Sequence, residues 1–138
     1  AGMVKESMLF MYFAGDCAAA LEYYSEVFGA EIVEKTTYGQ AEMAASDAEK
    51  DLVMNATFKL GGVSFCANDV VGGEAPLRGN NLSVWLEFDS ENSFNEVYRQ
   101  FEQAAGKVLA PREETFWNSV YAKVQDPFGM VWELNVQK

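Results

Sequence analysis

Histidine is missing from this 138-residue chain. It is the side chain that most often acts as a general base near neutral pH, and it is the commonest metal ligand in proteins. Its absence excludes a histidine-based catalytic triad, an HExxH zinc site and a three-histidine zinc site. The chain also has no apolar run near the roughly 18 residues that a membrane helix needs, and its start has no apolar signal-peptide region. We therefore expect neither a membrane span nor a signal peptide.

Positive charge is also scarce. Lysine and arginine together number 10, against 21 aspartates and glutamates, which gives a net charge of −11. Such a chain repels phosphate groups, so we expect no nucleic acid and no anionic membrane among its partners. A cationic ligand would be attracted, although an acidic, soluble surface with no such ligand accounts for the same charge.

Cysteine is limited to Cys17 and Cys66. Two cysteines are too few for a disulfide framework or a cysteine-based zinc site. Both lie inside apolar patterns, so we expect buried free thiols. Free thiols are typical of reducing compartments, and we therefore predict a cytoplasmic protein.

A repeated order of elements is the main feature that is present. Hydrophobic residues make up 49% of the chain, which suits a single domain with its own core. Strand, helix, strand and hairpin follow one another twice, in module one (about residues 7–69) and module two (about 82–138), with a linker at about 70–81. The first copy has strands at 7–13, 30–38, 52–60 and 63–68, a helix from Asp16 to Gly29, and a loop at 39–51. The second has strands at 82–88, 107–110, 117–125 and 130–136, a loop at 111–115, and a helix from Ser90 to Gly106 with a core stripe of Phe94, Val97, Phe101 and Ala104 or Ala105. This order predicts the α+β class.

Alternation along each strand separates a core face from a mixed face. Val84, Leu86 and Phe88 form the apolar set of one strand, while the residues between them are polar or amphipathic. A few polar groups among apolar ones are typical of a small-molecule pocket. The candidate ligand-binding residues, taken from the mixed faces and nearby aromatics, are Trp85, Glu87, Glu133, Tyr121, Trp117, Asn55, Cys66, Ser83 and Asn135.

Two readings of these candidates stay open. Glu87 and Glu133 can form an anionic pocket for an amine, or Glu87 can lie in water while Glu133 pairs with Lys123 across the hairpin. The aromatic candidates can stack on a planar or cationic ligand, or they can pack in the core and at a dimer interface.

Three segments resemble the PhnB-like branch of the vicinal oxygen chelate superfamily, which includes glyoxalase I, extradiol dioxygenases and bleomycin resistance proteins. They are residues 13–31 (FAGDCAAALEYYSEVFGAE), 116–118 (FWN) and 126–134 (DPFGMVWEL). The resemblance implies two βαβββ modules that form a cup-shaped, curved and mostly antiparallel sheet with helices outside, in a homodimer. It also implies, for the enzymes of the superfamily, a divalent metal held by residues of the first and last strands of each module.

Carried over by alignment of the two halves, the metal positions fall near Leu9, Cys66, Ser83 and Glu133. Only Glu133 is a good ligand for a hard cation, since Cys66 is soft and Leu9 has no donor atom. PhnB-like sequences often have histidine at two positions that are Asn55 and Met130 here. We therefore predict no metal and no other cofactor.

The leading hypothesis is a small-molecule-binding protein that lacks the metal site, and the sequestering of a cationic ligand is a special case of it that the acidity favours. The alternative is a metal-dependent lyase or dioxygenase of the same superfamily with ligands at other positions. A third possibility is a partner-binding protein whose cup is filled by side chains. The sequence leaves open whether the chain is an enzyme.

Overall fold

The computed structural model describes residues 2–104 and 106–138. The chain divides into two compact units, a first that runs through Pro76 and a second that starts at Leu77, so the boundary falls inside the predicted linker. Each unit contains one α-helix and a four-stranded mixed sheet in the order β-α-β-β-β. The predicted α+β class and the two βαβββ modules are confirmed. The single-domain organisation stays a prediction.

The elements of the first unit are β1 (Leu9–Phe13), α1 (Cys17–Phe28), β2 (Glu31–Thr37), a short 3-10 helix (Asp47–Glu49) in the predicted loop, β3 (Val53–Leu60) and β4 (Val63–Asp69). The strand order of its sheet is β1-β4-β3-β2. β1 runs parallel to β4, and the other neighbours are antiparallel. Gly61 and Gly62 both have positive φ, which matches the two-residue turn predicted between β3 and β4.

Helix α1 packs its buried face on the core side of this sheet. Leu21 and Tyr24 are buried, and the Tyr24 ring lies 5.8 Å from Phe58, which stacks on Phe65 at 5.0 Å. The helix ends at Gly29 as predicted, because glycine adopts the left-handed φ of 74° there without steric cost.

The start of α1 differs from the sequence-based expectation. Asp16 occupies the N-cap position, but its side chain makes no capping hydrogen bond. Instead, the buried carboxylate of Asp69, at the end of β4, accepts hydrogen bonds from the backbone N–H groups of Gly15 (2.8 Å), Cys17 (3.0 Å) and Val53 (2.9 Å). A residue distant in sequence therefore satisfies donors that a local cap would otherwise serve.

The second unit repeats this arrangement with β5 (Val84–Glu87), α2 (Glu91–Gln103), β6 (Lys107–Glu114), β7 (Ser119–Gln125) and β8 (Val131–Gln137). The strand order of its sheet is β5-β8-β7-β6. β5 runs parallel to β8, and the other pairs are antiparallel. Ser90 caps α2 as predicted, since its hydroxyl accepts from the Ser93 N–H at 3.1 Å.

Two boundaries in the second unit were predicted wrongly. β6 continues through the predicted loop, because it is an edge strand and its pairing with β7 is irregular between Ala110 and Glu113, which accommodates Pro111. Helix α2 stops at Gln103, so the exposed Ala104 is not part of its core stripe, and Tyr98 is buried there instead. Ala105 lies outside the described residues.

The two sheets have equivalent registers. Phe10 pairs with Cys66 between β1 and β4, as Trp85 pairs with Glu133 between β5 and β8. This makes Met8 the equivalent of Ser83, and the predicted equivalence of Leu9 is wrong by one residue. Three positions separate Phe13 from the cap residue Asp16, whereas two separate its equivalent, Phe88, from Ser90. The alignment through the helix starts therefore shifted β1 onto its other face.

Candidate ligand-binding site

The sheet of the second unit has a polar face opposite α2. Alternate residues of β8, such as Trp132 and Leu134, are buried in the core, and the residues between them lie on the other side. We call this side the polar face; its members are Ser83, Trp85, Glu87, Ser119, Tyr121, Lys123, Glu133 and Asn135.

Glu133 is held by two short hydrogen bonds from neutral hydroxyls. Ser83 Oγ donates to Glu133 Oε2 at 2.6 Å, and the Tyr121 hydroxyl donates to Oε1 at 2.6 Å. The Ser83 bond and then the Tyr121 bond lower the pKa of Glu133, against the opposing effect of burial. Glu133 is thus a fixed anion at neutral pH and a weak general base.

Tyr121 is held in its protonated form. Burial and then its hydrogen bond to Glu133 raise the pKa of Tyr121 to about 12. The phenol therefore remains a hydrogen-bond donor at physiological pH, and it is unsuited to act as a base.

Glu87 and Asn135 form the second half of the polar face. Asn135, which is 1% exposed, donates from Nδ2 to both carboxylate oxygens of Glu87 at 3.0 Å and to Ser119 Oγ at 3.3 Å. The indole N–H of Trp85 also donates to Glu87 Oε1, at 3.0 Å. Trp117 Nε1 donates to Asn135 Oδ1 at 3.3 Å, so the Asn135 amide links this second indole to the carboxylate of Glu87.

Aromatic rings border these carboxylates. The Trp85 ring lies 5.9 Å from Tyr121, and the Trp117 ring meets Tyr121 edge-on at 6.0 Å. Trp85 is 47% exposed and Trp117 is 42% exposed, so both indoles present surface that a planar or cationic group can cover.

Neither carboxylate is paired with a cation of the described chain. Lys123 is the cross-strand neighbour of Glu133 and contributes the smallest of the effects on its pKa, but the two form no ion pair among the described residues. The alternative in which Lys123 neutralises Glu133 is therefore not what the geometry shows. Although Glu87 is exposed, both of its oxygens accept hydrogen bonds from the protein.

Most of the predicted site residues meet here, in two hydrogen-bonded groups that ring contacts join. One group contains Ser83, Tyr121 and Glu133, and the other contains Trp85, Glu87, Trp117 and Asn135. The sequence reasoning missed Ser119, which alternation along β7 from Tyr121 would have identified.

Asn55 and Cys66, the remaining predicted residues, belong to the sheet of the first unit. Cys66 is a buried free thiol, as predicted, and lies 3.2 Å from Met8 Sδ and 3.7 Å from Thr57 Oγ1. Cys17 is also buried and free. Burial raises the pKa of the Cys17 thiol to about 12, and nearby Asp69 adds to the rise.

Comparison with known proteins agrees with this architecture. The model of the Glyoxalase/Bleomycin resistance protein/Dioxygenase superfamily matches residues 9–134. The chain belongs to this superfamily. Protein YjdN of Escherichia coli is 30% identical over 142 residues, which cover 94% of this chain and 93% of YjdN.

Solved structures show the superfamily fold. Protein PA1353 of Pseudomonas aeruginosa is 22% identical, with a TM-score of 0.83 over 97% of this chain and 98% of that chain. A PhnB protein of Bacillus cereus is also 22% identical, with a TM-score of 0.76 over 96% of this chain and 99% of that chain.

The residues at the metal positions implied by the superfamily do not suit a hard divalent ion. In the first unit these positions are Met8 and Cys66, a thioether and a thiol, both of which are soft ligands. In the second unit they are Ser83 and Glu133, where the hydroxyl already donates to the carboxylate. Residues 2–104 and 106–138 contain no group of three or more acidic or cysteine side chains arranged to hold a metal. The absence of a bound metal stays a prediction.

Proposed function

We propose that this superfamily member binds a small molecule that carries a protonated amine, at the polar face of the second unit. The observation that carries the proposal is that Glu87 and Glu133 receive hydrogen bonds from neutral donors alone among the described residues. Their negative charge is held in place and is not cancelled, so an ammonium group would supply the missing counter-charge.

The surroundings favour such a ligand. Because the pKa of Glu133 is lowered, its carboxylate needs no proton transfer before it meets a cation. An ammonium group beside Trp85 or Trp117 gains a cation–π contribution of about 0.5–1 kcal/mol at a partly exposed site. The net charge of −11 raises the local concentration of cations and speeds their association.

We propose that this binding occurs in the cytoplasm. Support comes from Cys17 and Cys66, which are buried and unpaired, as is typical of proteins from reducing compartments. None of the described helices has the length and apolar character needed to cross a membrane.

The three indole N–H groups provide the test, since the chain has three tryptophans. We expect titration with 2-phenylethylamine to shift the indole NMR signals of Trp85 and Trp117 in a saturable way. Trp132 is buried and donates to Asp126, so its signal serves as an internal control that stays in place. The neutral analogue 2-phenylethanol should bind about tenfold more weakly, as expected for loss of one charged hydrogen bond.

Matched variants test whether the charge of Glu133 binds the ammonium group. Glu133→Gln keeps the shape of the side chain and removes its charge, so it should weaken the amine but not the alcohol. Glu102→Gln removes one charge from the exposed end of α2 and should change neither. Equal affinity for amine and alcohol in the unmodified protein would contradict the proposal.

Metal analysis tests the competing function, a metal-dependent lyase or dioxygenase. We expect the purified protein to lack stoichiometric divalent metal. If the protein contains one equivalent of divalent metal per chain, and Glu133→Ala loses this metal, then the metal-dependent function is correct and our proposal is wrong.

A further inference from the structure

A groove of about 580 Å³ lies within the second unit, beside the polar face. Gln125 and Val131 are cross-strand neighbours at its floor, and Lys123 is shared with the polar face. Along β7 and β8 the groove therefore continues the surface that Tyr121 and Glu133 begin. Its lining residues are Arg78, Gly79, Asn80, Leu109, Lys123, Gln125 and Val131.

The charge of this groove is opposite to that of the chain. Arg78 and Lys123 line it and, within the described residues, no aspartate or glutamate does. The chain has only 10 basic residues against 21 acidic ones. Two basic side chains therefore line one small groove in a molecule whose overall field repels anions.

Arg78 is positioned by the turn between β7 and β8. Its Nη1 donates to the Pro127 carbonyl at 3.5 Å. A Cβ at Gly129 would lie 2.5 Å from Arg78 Cδ, so the absent side chain of this glycine leaves the space in which the arginine stem lies. Gly129 also has a φ of +93°, which larger residues rarely adopt. The turn thus needs glycine both for its backbone and for Arg78.

We propose that this groove binds an oxyanion group, a carboxylate or a phosphate, and that the ligand of this protein is therefore a zwitterion. An arginine fork and a lysine point charge together suit a group with two or more oxygen acceptors. The zwitterion part of the inference rests on the proposed amine site. Lys123 lies directly across from Glu133 and Gln125 lies diagonally across from it, so the two ends of the ligand lie roughly 5–8 Å apart.

The anion site is tested without any amine. Inorganic phosphate and acetate are titrated in turn at constant ionic strength, and the backbone amide signals of Gly79 and Asn80 are followed by NMR. We expect saturable shifts, with the stronger of the two anions identifying the group. Arg78→Gln and Lys123→Gln should each weaken binding about tenfold. Shifts that do not saturate, or that are the same in both variants as in the unmodified protein, would overturn the proposal.

Charge-matched controls exclude a general effect of net charge. Arg99→Gln and Lys59→Gln remove one positive charge each from exposed positions outside the groove. Both should leave anion binding unchanged. If the control variants weaken anion binding as much as Arg78→Gln does, then binding depends on the total charge of the protein and not on the groove.

A bifunctional probe tests the zwitterion. 4-(2-Aminoethyl)benzoate carries an ammonium and a carboxylate at opposite ends of a ring, and its methyl ester keeps only the ammonium. The acid should bind about tenfold more tightly than the ester, and Lys123→Gln should remove this difference. Glu133→Gln should weaken both probes alike. If acid and ester bind equally, the zwitterion is wrong while the amine site stands; if neither moves the Trp85 signal, the amine site is wrong.

Discussion

At the scale of single residues, the charge on Glu133 is set by its hydrogen bonds. Two hydroxyl donors at 2.6 Å stabilise the carboxylate more than its partial burial destabilises it. Sequence alternation placed Ser83 and Glu133 on mixed faces, and Tyr121 was a candidate as a nearby aromatic, but the sequence contained no information on which hydroxyl reaches which oxygen. Those contacts depend on strands that are far apart in the chain.

Removing the stronger donor should raise the pKa of Glu133. In Ser83→Ala the largest lowering effect is lost while that of Tyr121 remains, so the pKa should move up toward its ordinary value of 4.5. Carbon-13 NMR titration of the side-chain carboxyl measures this. The signal of the exposed Glu102 should be unchanged, and an unaltered Glu133 titration would contradict the assigned cause.

The lowered pKa of Glu133 in the folded protein also predicts how stability depends on pH. Because the folded pKa of Glu133 lies below its unfolded value, ionised Glu133 stabilises the fold above the unfolded pKa. This contribution is lost as the pH falls from about 4.5 through the lower folded pKa. Ser83→Ala should therefore lose less stability than the unmodified protein over this acid range.

At the scale of elements, the helix starts show where local rules hold. Ser90 caps α2 through its own hydroxyl, as the sequence predicts. The N-terminal end of α1 depends instead on Asp69, whose carboxylate lies across the fold at the end of β4. A capping pattern involves only neighbouring residues. It therefore cannot reveal the hydrogen bond between Cys17 and Asp69, which are 52 residues apart in the sequence.

Substitution of Asp16 and of Asp69 should show which of the two aspartates stabilises the N-terminal end of α1. Asp69→Ala leaves the buried N–H groups of Gly15, Cys17 and Val53 without their acceptor, and we expect a loss of about 3 kcal/mol or more in the free energy of unfolding. Asp16→Ala should cost distinctly less, since its side chain makes no capping hydrogen bond. Urea unfolding measures both. A larger loss of unfolding free energy in Asp16→Ala than in Asp69→Ala would show that Asp16 caps the helix.

At the scale of the whole molecule, the internal repeat explains the sequence pattern. Both units use the same strand order and the same register between their first and last strands. Their polar positions have diverged, so that Met8 and Cys66 in one unit correspond to Ser83 and Glu133 in the other. The divergence shows why membership of the superfamily does not by itself specify a reaction.

The resemblance predicts a homodimer, and this stays a prediction. Sedimentation equilibrium should give twice the 15.3 kDa mass of the chain, because symmetric dimers are the commonest oligomers. The measurement belongs at moderate salt, where repulsion between chains of charge −11 is screened. A single-chain mass that persists as the concentration rises would contradict the prediction.

The sequence by itself determined the order of elements, the α+β class and the side of each strand on which Trp85, Glu87, Glu133 and Asn135 lie. These follow from the two- and 3.6-residue periods, which are local properties of the chain. Only the tertiary structure decided the hydrogen-bond partners of the two glutamates, the place of Met8 beside Cys66, and the meeting of Arg78 with Lys123 in one groove. These depend on register and loop length, and a one-residue difference in a loop reverses the face of a strand.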